Sequence, residues 1–553
     1  MSADLGRLGG LNRHLAPRAH PRPRCRCAGT SRKTLGGSVT PSRREFIKFV
    51  VAGSVAAGGP IDPTLLAVPD SKSPSVPLVH GERFEVCHQI RDGHPFKHPD
   101  TTRKADIVIV GGGLAGLSAA YFLRGKDWLL LEKEPQFGGN ALQEEFQGQI
   151  YGTGSAYAYR DDEGDQLASE IGLRMPLVNS PDPTIVNRTY VPDTWKTGID
   201  QLPYPKEVRE SFKKFRDDTM KIKVGEKMAE LDAQPFSNFT AAYAPEVQQW
   251  WDGFGASNWG ATTEESSAYV GLAHVQDLAS GGDSKRAILP GGLGCLTHKL
   301  VEVLQPKYQE RMLDNAAVVA AIQDHGVVRV TYLHQGKLIT VSAKAVLMCA
   351  PKHIASRIVM GLPSRQKTAM RRYRFAPYPV VNVIFPKPVY NRGYDNWCPG
   401  SVFTDFIVAD WTMQKNPGYQ QKHNILSFYT PLRELERSTL LDENGCKSLA
   451  ARVLSDFQKL LPEFNVDPVE VRIYRRGHPM FMAVPGQYTK NRPVASRPLD
   501  RIFFGNSDSG GPESLTSEAV RLSRAGAEWA ELLVGGKPGA RELAEKALLA
   551  IPE

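Results

Sequence analysis

Residues 105–140, ADIVIVGGGLAGLSAAYFLRGKDWLLLEKEPQFGGN, constrain this chain more than any other stretch. The apolar run at 105–110 reads as a buried parallel strand that feeds into Gly111, Gly113 and Gly116, after which residues 114–123 take a helical pattern. At G-x-G-x-x-G spacing the first glycine permits a sharp turn and the second lets backbone approach a pyrophosphate. The third lets helix and strand pack closely, with the phosphates at the helix N-terminus. A second strand at 128–131 ends in Glu132, roughly 20 residues after the first glycine, where an acid meets the ribose hydroxyls of an adenine dinucleotide and repels a 2′-phosphate. The motif alone leaves NAD and FAD open. The pair Gly138 and Gly139 favours FAD, because it lets a second loop approach a cofactor held permanently in the fold. The expected fold class is α/β: a Rossmann-like FAD-binding domain, its parallel sheet carrying a βαβ unit, interleaved with a mixed-sheet and helical substrate domain.

The 553 residues, 41% hydrophobic and 23% charged, can bury a large core in one large or two interleaved domains. The net charge of +9 invites a nucleic-acid reading until it is located. Residues 1–48 hold eleven Lys/Arg against two Asp/Glu, so the remainder is neutral overall and has no net excess to drive polyanion binding. Of seven cysteines, Cys25 and Cys27 lie in the leader. Cys87, Cys295, Cys349, Cys398 and Cys446 remain, and the absence of C-x-x-C and C-x-x-C-H leaves neither a zinc ribbon nor a covalent c-type haem indicated. Buried unpaired thiols are expected, with one disulfide open in an oxidising compartment.

Residues 1–41 are rich in Arg, Pro and Gly, lack apolar periodicity and are expected to be disordered or absent. Ser42-Arg43-Arg44-Glu45-Phe46-Ile47-Lys48 resembles the twin-arginine export signal, and the weakly apolar stretch 49–59 is too short to span a bilayer. Residues 42–67 are therefore read as a signal peptide cleaved after Ala57 or Ala67, with translation starting near Val39. That route moves folded proteins through the twin-arginine translocase, which suits a chain that must bind its cofactor in the cytoplasm and work in the periplasm.

Residues 68–100 form an N-terminal segment in which His88, with His94 and His98 nearby, is a candidate metal or haem ligand, although capping and surface roles are commoner for such histidines. The FAD-binding domain is assigned to 101–160, 286–355 and 496–536, the substrate or cap domain to 161–285 and 356–495, and a tail to 537–553. Residues 149–159, QIYGTGSAYAY, would pass the isoalloxazine ring and bring the backbone N–H groups of Gly154 and Ser155 to it, a plain glycine turn being equally open. Residues 161–285 read as helical, with Trp250, Trp251, Phe254 and Trp259 crowded enough to wall a pocket or to pack as core. Strands return at 316–322, 326–333, 338–341 and 345–349. Residues 501–511, RIFFGNSDSGG, form another strand and glycine-rich turn, with Ser514 or Thr516 as cap of a helix that faces the flavin N1–C2=O edge. Asp508 is then placed toward the ribityl or pyrophosphate side.

These three separated stretches follow in the order seen in flavin-dependent amine oxidoreductases, and the chain resembles that family over about residues 80–535. Within it, residues 81–93 (GERFEVCHQIRDG), 137–146 (FGGNALQEEF) and 501–511 are similar to spermidine dehydrogenases. The resemblance implies FAD held by Gly111, Gly113, Gly116, Glu132, Gly138, Gly139, Asp508, the backbone around Ala519 and the amide of Val319 at the adenine. It also implies a haem, with His88 as first candidate ligand. Where many members carry arginines beside the glycine pair, this chain has Glu134, Gln136 and Asn140, and no lysine aligns with the one that often holds water at flavin N5.

The reaction implied moves a hydride from the carbon bearing a neutral amine to the flavin, in an aromatic, water-poor pocket, and passes the electrons to a haem, quinone or carrier protein. Tyr378 and Trp397 are the pocket candidates for catalysis. Three alternatives share the fingerprint: a carotenoid-type desaturase, an amino-acid oxidase using the cluster Arg371-Arg372-Tyr373-Arg374, and a flavin-binding envelope protein without chemistry.

Overall fold

A computed structural model describes residues 76–549; the expected leader, export signal and translation start lie outside the described residues. The described chain opens with β1 (Leu78–Gly81), α1 (Glu85–Arg91), β2 (Thr101–Val110), α2 (Leu114–Phe122) and β3 (Trp128–Leu131). A two-stranded ribbon, β4 (Thr184–Val186) and β5 (Thr189–Val191), precedes the helices α3 (Pro245–Trp259), α4 (Ala268–Ser280) and α5 (Gly294–Tyr308). Then come β6 (Met312–Leu313), β7 (Ala316–Asp324), β8 (Val327–His334), β9 (Lys337–Met348) and α6 (Lys352–Ile358). The second half supplies β10 (Val380–Phe385), β11 (Asp395–Trp397), β12 (Asp405–Val408), β13 (Asn424–Tyr429), α7 (Glu443–Leu460) and β14 (Glu470–Arg475). It ends in β15 (Ile502–Phe503), α8 (Thr516–Val534) and α9 (Ala540–Leu549).

The first sheet runs β6-β3-β2-β9-β8-β7, with β15 added on β9. Strands β6, β3, β2, β9 and β15 are parallel, while β7, β8 and β9 form an antiparallel meander. Alternation explains the unbroken apolar run of β2. Ile107 and Ile109 point into one core with α2, α5 and α8, while Val108 and Val110 point into another with α6. The strand starts at Thr101 because residues 101–104 pair with β9 even though they are largely exposed. Strand β9 is likewise one element where the sequence predicts two; its polar interruption at Ser342 and Lys344 stays in the ladder because β2 and β8 flank it on both sides.

The second sheet runs β1-β14-β10-β13-β12-β11-β4-β5. One face packs Val381, Val383 and Phe428 against Cys446, Val453 and Phe457 of α7. The opposite face carries Val380, Ile407 and Tyr429 and looks into the cavity described below. Two expectations about the ends of the domains change. The segment before β2 contributes a strand to this second sheet, β1 lying parallel to β14. Residues 540–549, expected as tail, form α9, whose Ala540, Ala544, Ala547 and Leu548 are buried in the same core as α8. Among the described residues the five cysteines are free, and no helix is long and apolar enough to cross a membrane.

Candidate active site

A cavity of about 850 Å³ runs between the two sheets. At one end stands the glycine turn. Gly111 has φ +101°, and a Cβ on Gly116 would lie 1.8 Å from the Gly111 carbonyl oxygen, so strand and helix approach as closely as two backbones can. The second glycine loop packs on the first: the Gly138 N–H donates to Gly112 O at 2.8 Å, and a Cβ on Gly139 would lie 3.0 Å from Gly113 Cα. Gly111, Gly113, Gly138 and Gly139 line the cavity, whereas Gly116 supports it from behind. Glu132 also lines it. Its carboxylate accepts from the Gly112 N–H at 2.5 Å and the Glu134 N–H at 2.8 Å. Burial pushes its pKa up and those amides pull it back.

Gly154, Ser155 and Ala519 line the middle of the cavity. Neither α2 nor α8 has a side-chain cap, their N-cap residues being Gly113 and Leu515, so first-turn amides stay available where Leu114, Ala115 and Thr516 meet the cavity. Ser514 and Thr516 are therefore not the caps expected. Arg476, which the sequence reading missed, is buried against this region and donates to Thr153 O and, at 3.0 Å, to Thr153 Oγ1.

Two expected cofactor residues stand elsewhere. Asp508 does not line the cavity: it accepts from the Lys352 Nζ at 2.8 Å and the Lys352 N–H at 2.6 Å, with both side chains buried. A buried lysine requires a counter-charge, and Asp508 is consumed in supplying it. Its neighbours Asn506 and Ser507 face the cavity instead. Val319 lies where the β7–β8 register skips, between Val318 and Ala320, and is off the wall; Ala316, Ala317 and Val318 line the cavity instead. His88 is half-buried on α1 at the cavity rim, its ring 5.0 Å from that of Phe84. His98 instead meets Thr331 at 3.3 Å. Among the described residues no group of three or more His, Cys, Asp or Glu is placed to hold a metal ion.

At the far end the second sheet presents one cross-strand row. Trp397 stands opposite Asp405, Asp405 opposite Tyr429, and Tyr429 opposite Val380, all on the cavity wall. Asp395, two residues before Trp397, shares that face. Tyr378 completes the wall, its hydroxyl 2.8 Å from Ser257 Oγ, which donates to Asp405 Oδ1 at 2.7 Å. With Ser257 donating to the acid, Tyr378 is the donor to Ser257. Burial, followed by the charge of Asp405, raises the Tyr378 phenol well above its ordinary range, so it stays neutral. The aromatic crowd of α3 forms the core behind this wall: Trp250, Trp251, Phe254 and Trp259 are buried together off the cavity, and Trp397 of β11, 4.6 Å from Phe254, stands between them and it.

Two glycine loops without Cβ atoms, two uncapped helix N-termini and a buried acid at the second strand end form a cradle of the shape and polarity an adenine dinucleotide requires. Residues 114–528 match the family of flavin-containing amine oxidoreductases. The chain belongs to this family. FAD is the cofactor of this flavin-containing amine oxidoreductase, and the cradle residues fit it. Among solved structures, wild-type putrescine oxidase bound to putrescine is 18% identical with a TM-score of 0.61, over 77% of this chain and 98% of that one. Cyclohexylamine oxidase from Brevibacterium oxydans IH-35A is 16% identical with a TM-score of 0.59, over 78% and 99% of the two chains. At such identities the likeness is one of fold. Oxidoreductase PigB of Serratia sp. (strain ATCC 39006) is 22% identical over 268 residues, which cover 45% of this oxidoreductase and 39% of PigB. The chain thus spans about two fifths of that curated relative.

Proposed function

We propose that this oxidoreductase oxidises the C–N bond of an aliphatic, polyamine-like amine in the periplasm, after twin-arginine export, and hands the electrons to a haem, quinone or carrier protein. The observation that carries the substrate class is the acidic and aromatic end of the cavity, where Asp395 and Asp405 lie among Trp397, Tyr378 and Tyr429. Carboxylates in an apolar wall favour a cation and disfavour both a carotenoid and a substrate carboxylate. The arginine cluster offers an amino acid little: Arg374 is held by Glu265 and Glu434, each at 2.7 Å, and Arg372 is exposed.

When bound, FAD supplies the two-electron acceptor for the hydride. The chain's own residues position and dry the substrate. Trp397 and Tyr429 wall the carbon chain, Tyr378 and Ser257 fix Asp405, and the neutral phenols add no charge to compete with the carboxyls. For the electrons, a side pocket of about 310 Å³ shares His353, Arg357, Arg437 and His478 with the main cavity and would suit an anionic acceptor. The export reading rests on residues 42–48.

Anaerobic titration of the purified enzyme with polyamines, amino acids and carotenoids tests the substrate class. Bleaching of the flavin by polyamines alone is expected; bleaching by amino acids or carotenoids alone would replace the reading. A Soret band in the same spectrum identifies a haem. Changing Arg43 and Arg44 to Lys should leave the enzyme in the cytoplasm, and unaltered periplasmic recovery would remove the export route.

A further inference from the structure

Asp395 and Asp405 are each 3% exposed, share one face of adjacent strands and both line the cavity. Burial raises both carboxyls, and the charge of Asp395 adds to that rise at Asp405. Two buried carboxylates on one face of neighbouring strands do not both ionise, so the pair holds a proton. The surroundings say where further protons can go. Arg286 Nη1 donates to Asp395 Oδ2 at 2.8 Å and Arg286 Nη2 to Asp182 Oδ1 at 2.8 Å. Ser257 and Thr404 donate to Asp405 Oδ1 at 2.7 and 2.6 Å. The phenols of Tyr378, Tyr394 and Tyr429 and the thiol of Cys398 complete the shell, all held neutral by burial. Asp395 Oδ1 is buried and finds no donor among these groups. Its remaining partners are a proton on Asp405 or a group entering the cavity.

An aliphatic amine reaches the enzyme as its ammonium, whereas loss of a hydride from the adjacent carbon requires the nitrogen lone pair. In a dry cavity an ammonium beside a carboxylate is an expensive ion pair, and moving one proton turns it into a neutral amine and a neutral acid, which burial favours. Resting on the amine reading above, we propose that the Asp395–Asp405 pair is the base of this enzyme, taking a proton from the substrate ammonium before oxidation and holding it until the product leaves. One N–H bond of the ammonium breaks, one O–H bond forms on the pair, the nitrogen keeps the electron pair, and no electrons change hands in this step. Asp395 and Asp405 are the catalytic residues; Ser257, bonded to Asp405 and backed by Tyr378, is a positioning residue.

Anaerobic stopped-flow reduction by a primary amine across pH, in the holoenzyme and in Asp405→Asn and Asp395→Asn, tests the pair. Wild-type rates should stay level well below the amine's own pKa. In either variant the rate at pH 7 should fall about 100-fold or more and then climb tenfold per pH unit toward that pKa, with bound FAD retained. A fluorinated amine of lower pKa should recover most of the loss. A second readout needs neither turnover nor a variant. Infrared difference spectra of the wild-type enzyme binding tert-butylamine, which has no hydrogen on its nitrogen-bearing carbon, should show a gain in the protonated-carboxyl stretch. Amines that reduce the wild type, with variant pH profiles parallel to it and no carboxyl gain, would overturn the base while leaving the amine reading intact. A flavin untouched by every amine would overturn both.

Discussion

A methyl group at position 116 would sit 1.8 Å from a carbonyl oxygen that the turn at Gly111 cannot move, so Gly116→Ala should yield protein without visible flavin absorbance, or insoluble protein. Bound flavin at wild-type stoichiometry in that variant would contradict the close helix–strand approach. Asp508→Asn should act differently. It strands the buried Lys352 charge and should lower unfolding free energy by about 3 kcal/mol in denaturant titration, while flavin bound per folded molecule stays unchanged. Tyr378→Phe removes the donor to Ser257 and should slow amine-driven bleaching roughly tenfold without loss of FAD, an effect of one hydrogen bond to a charge-bearing chain. The glycines and Glu132 were legible because their roles follow from spacing along one continuous βαβ unit. Asp508 misled because its partner lies 156 residues away, at Lys352, the first residue of a helix with no motif of its own. Asp395 and Asp405 escaped notice because strands of three and four residues are too short to display alternation, although an acid within an apolar run such as TDFIV is itself a signal of a purposeful buried charge.

At the scale of elements, α4 is tied to the turn before α8 by His274 and Glu513, 2.5 Å apart, with Glu513 on the cavity wall. Burial pulls the His274 pKa down, but the Glu513 carboxylate outweighs it and brings the imidazole to about 9. A folded pKa above the unfolded value of about 6.5 stabilises fully below the lower value and is lost as pH rises through the higher one. The melting-temperature gap between wild type and His274→Gln should therefore be largest near pH 6.5 and close above pH 9; a gap constant across that range would mean the ion pair is not what joins the elements. Long amphipathic elements such as α7 and α8 were readable, and α2, apolar on every side, was readable from the glycine turn that precedes it. Boundaries set by pairing rather than burial were not: β2 begins early and β9 fuses two apolar runs because neighbouring strands, remote in sequence, complete their ladders. Helix α9 was hidden by its alanines, whose small apolar faces matter only once α8 is beside them.

For the whole molecule, a cofactor gripped from three separated stretches should weld them into one cooperative unit. Apoprotein prepared by removing FAD should melt earlier, and FAD at a thousandfold excess over its dissociation constant should restore about 4 kcal/mol; an unchanged melting point would detach the cradle from the fold's stability. The pairing of β1 with β14 carries a consequence for biosynthesis. Leu78–Gly81 leaves the ribosome early, yet the strand it lies against, Glu470–Arg475, is made only when most of the polypeptide has been polymerised. The nascent chain must keep that edge unsatisfied throughout elongation, which favours chaperone occupancy of its leading end and leaves native closure to the completed product.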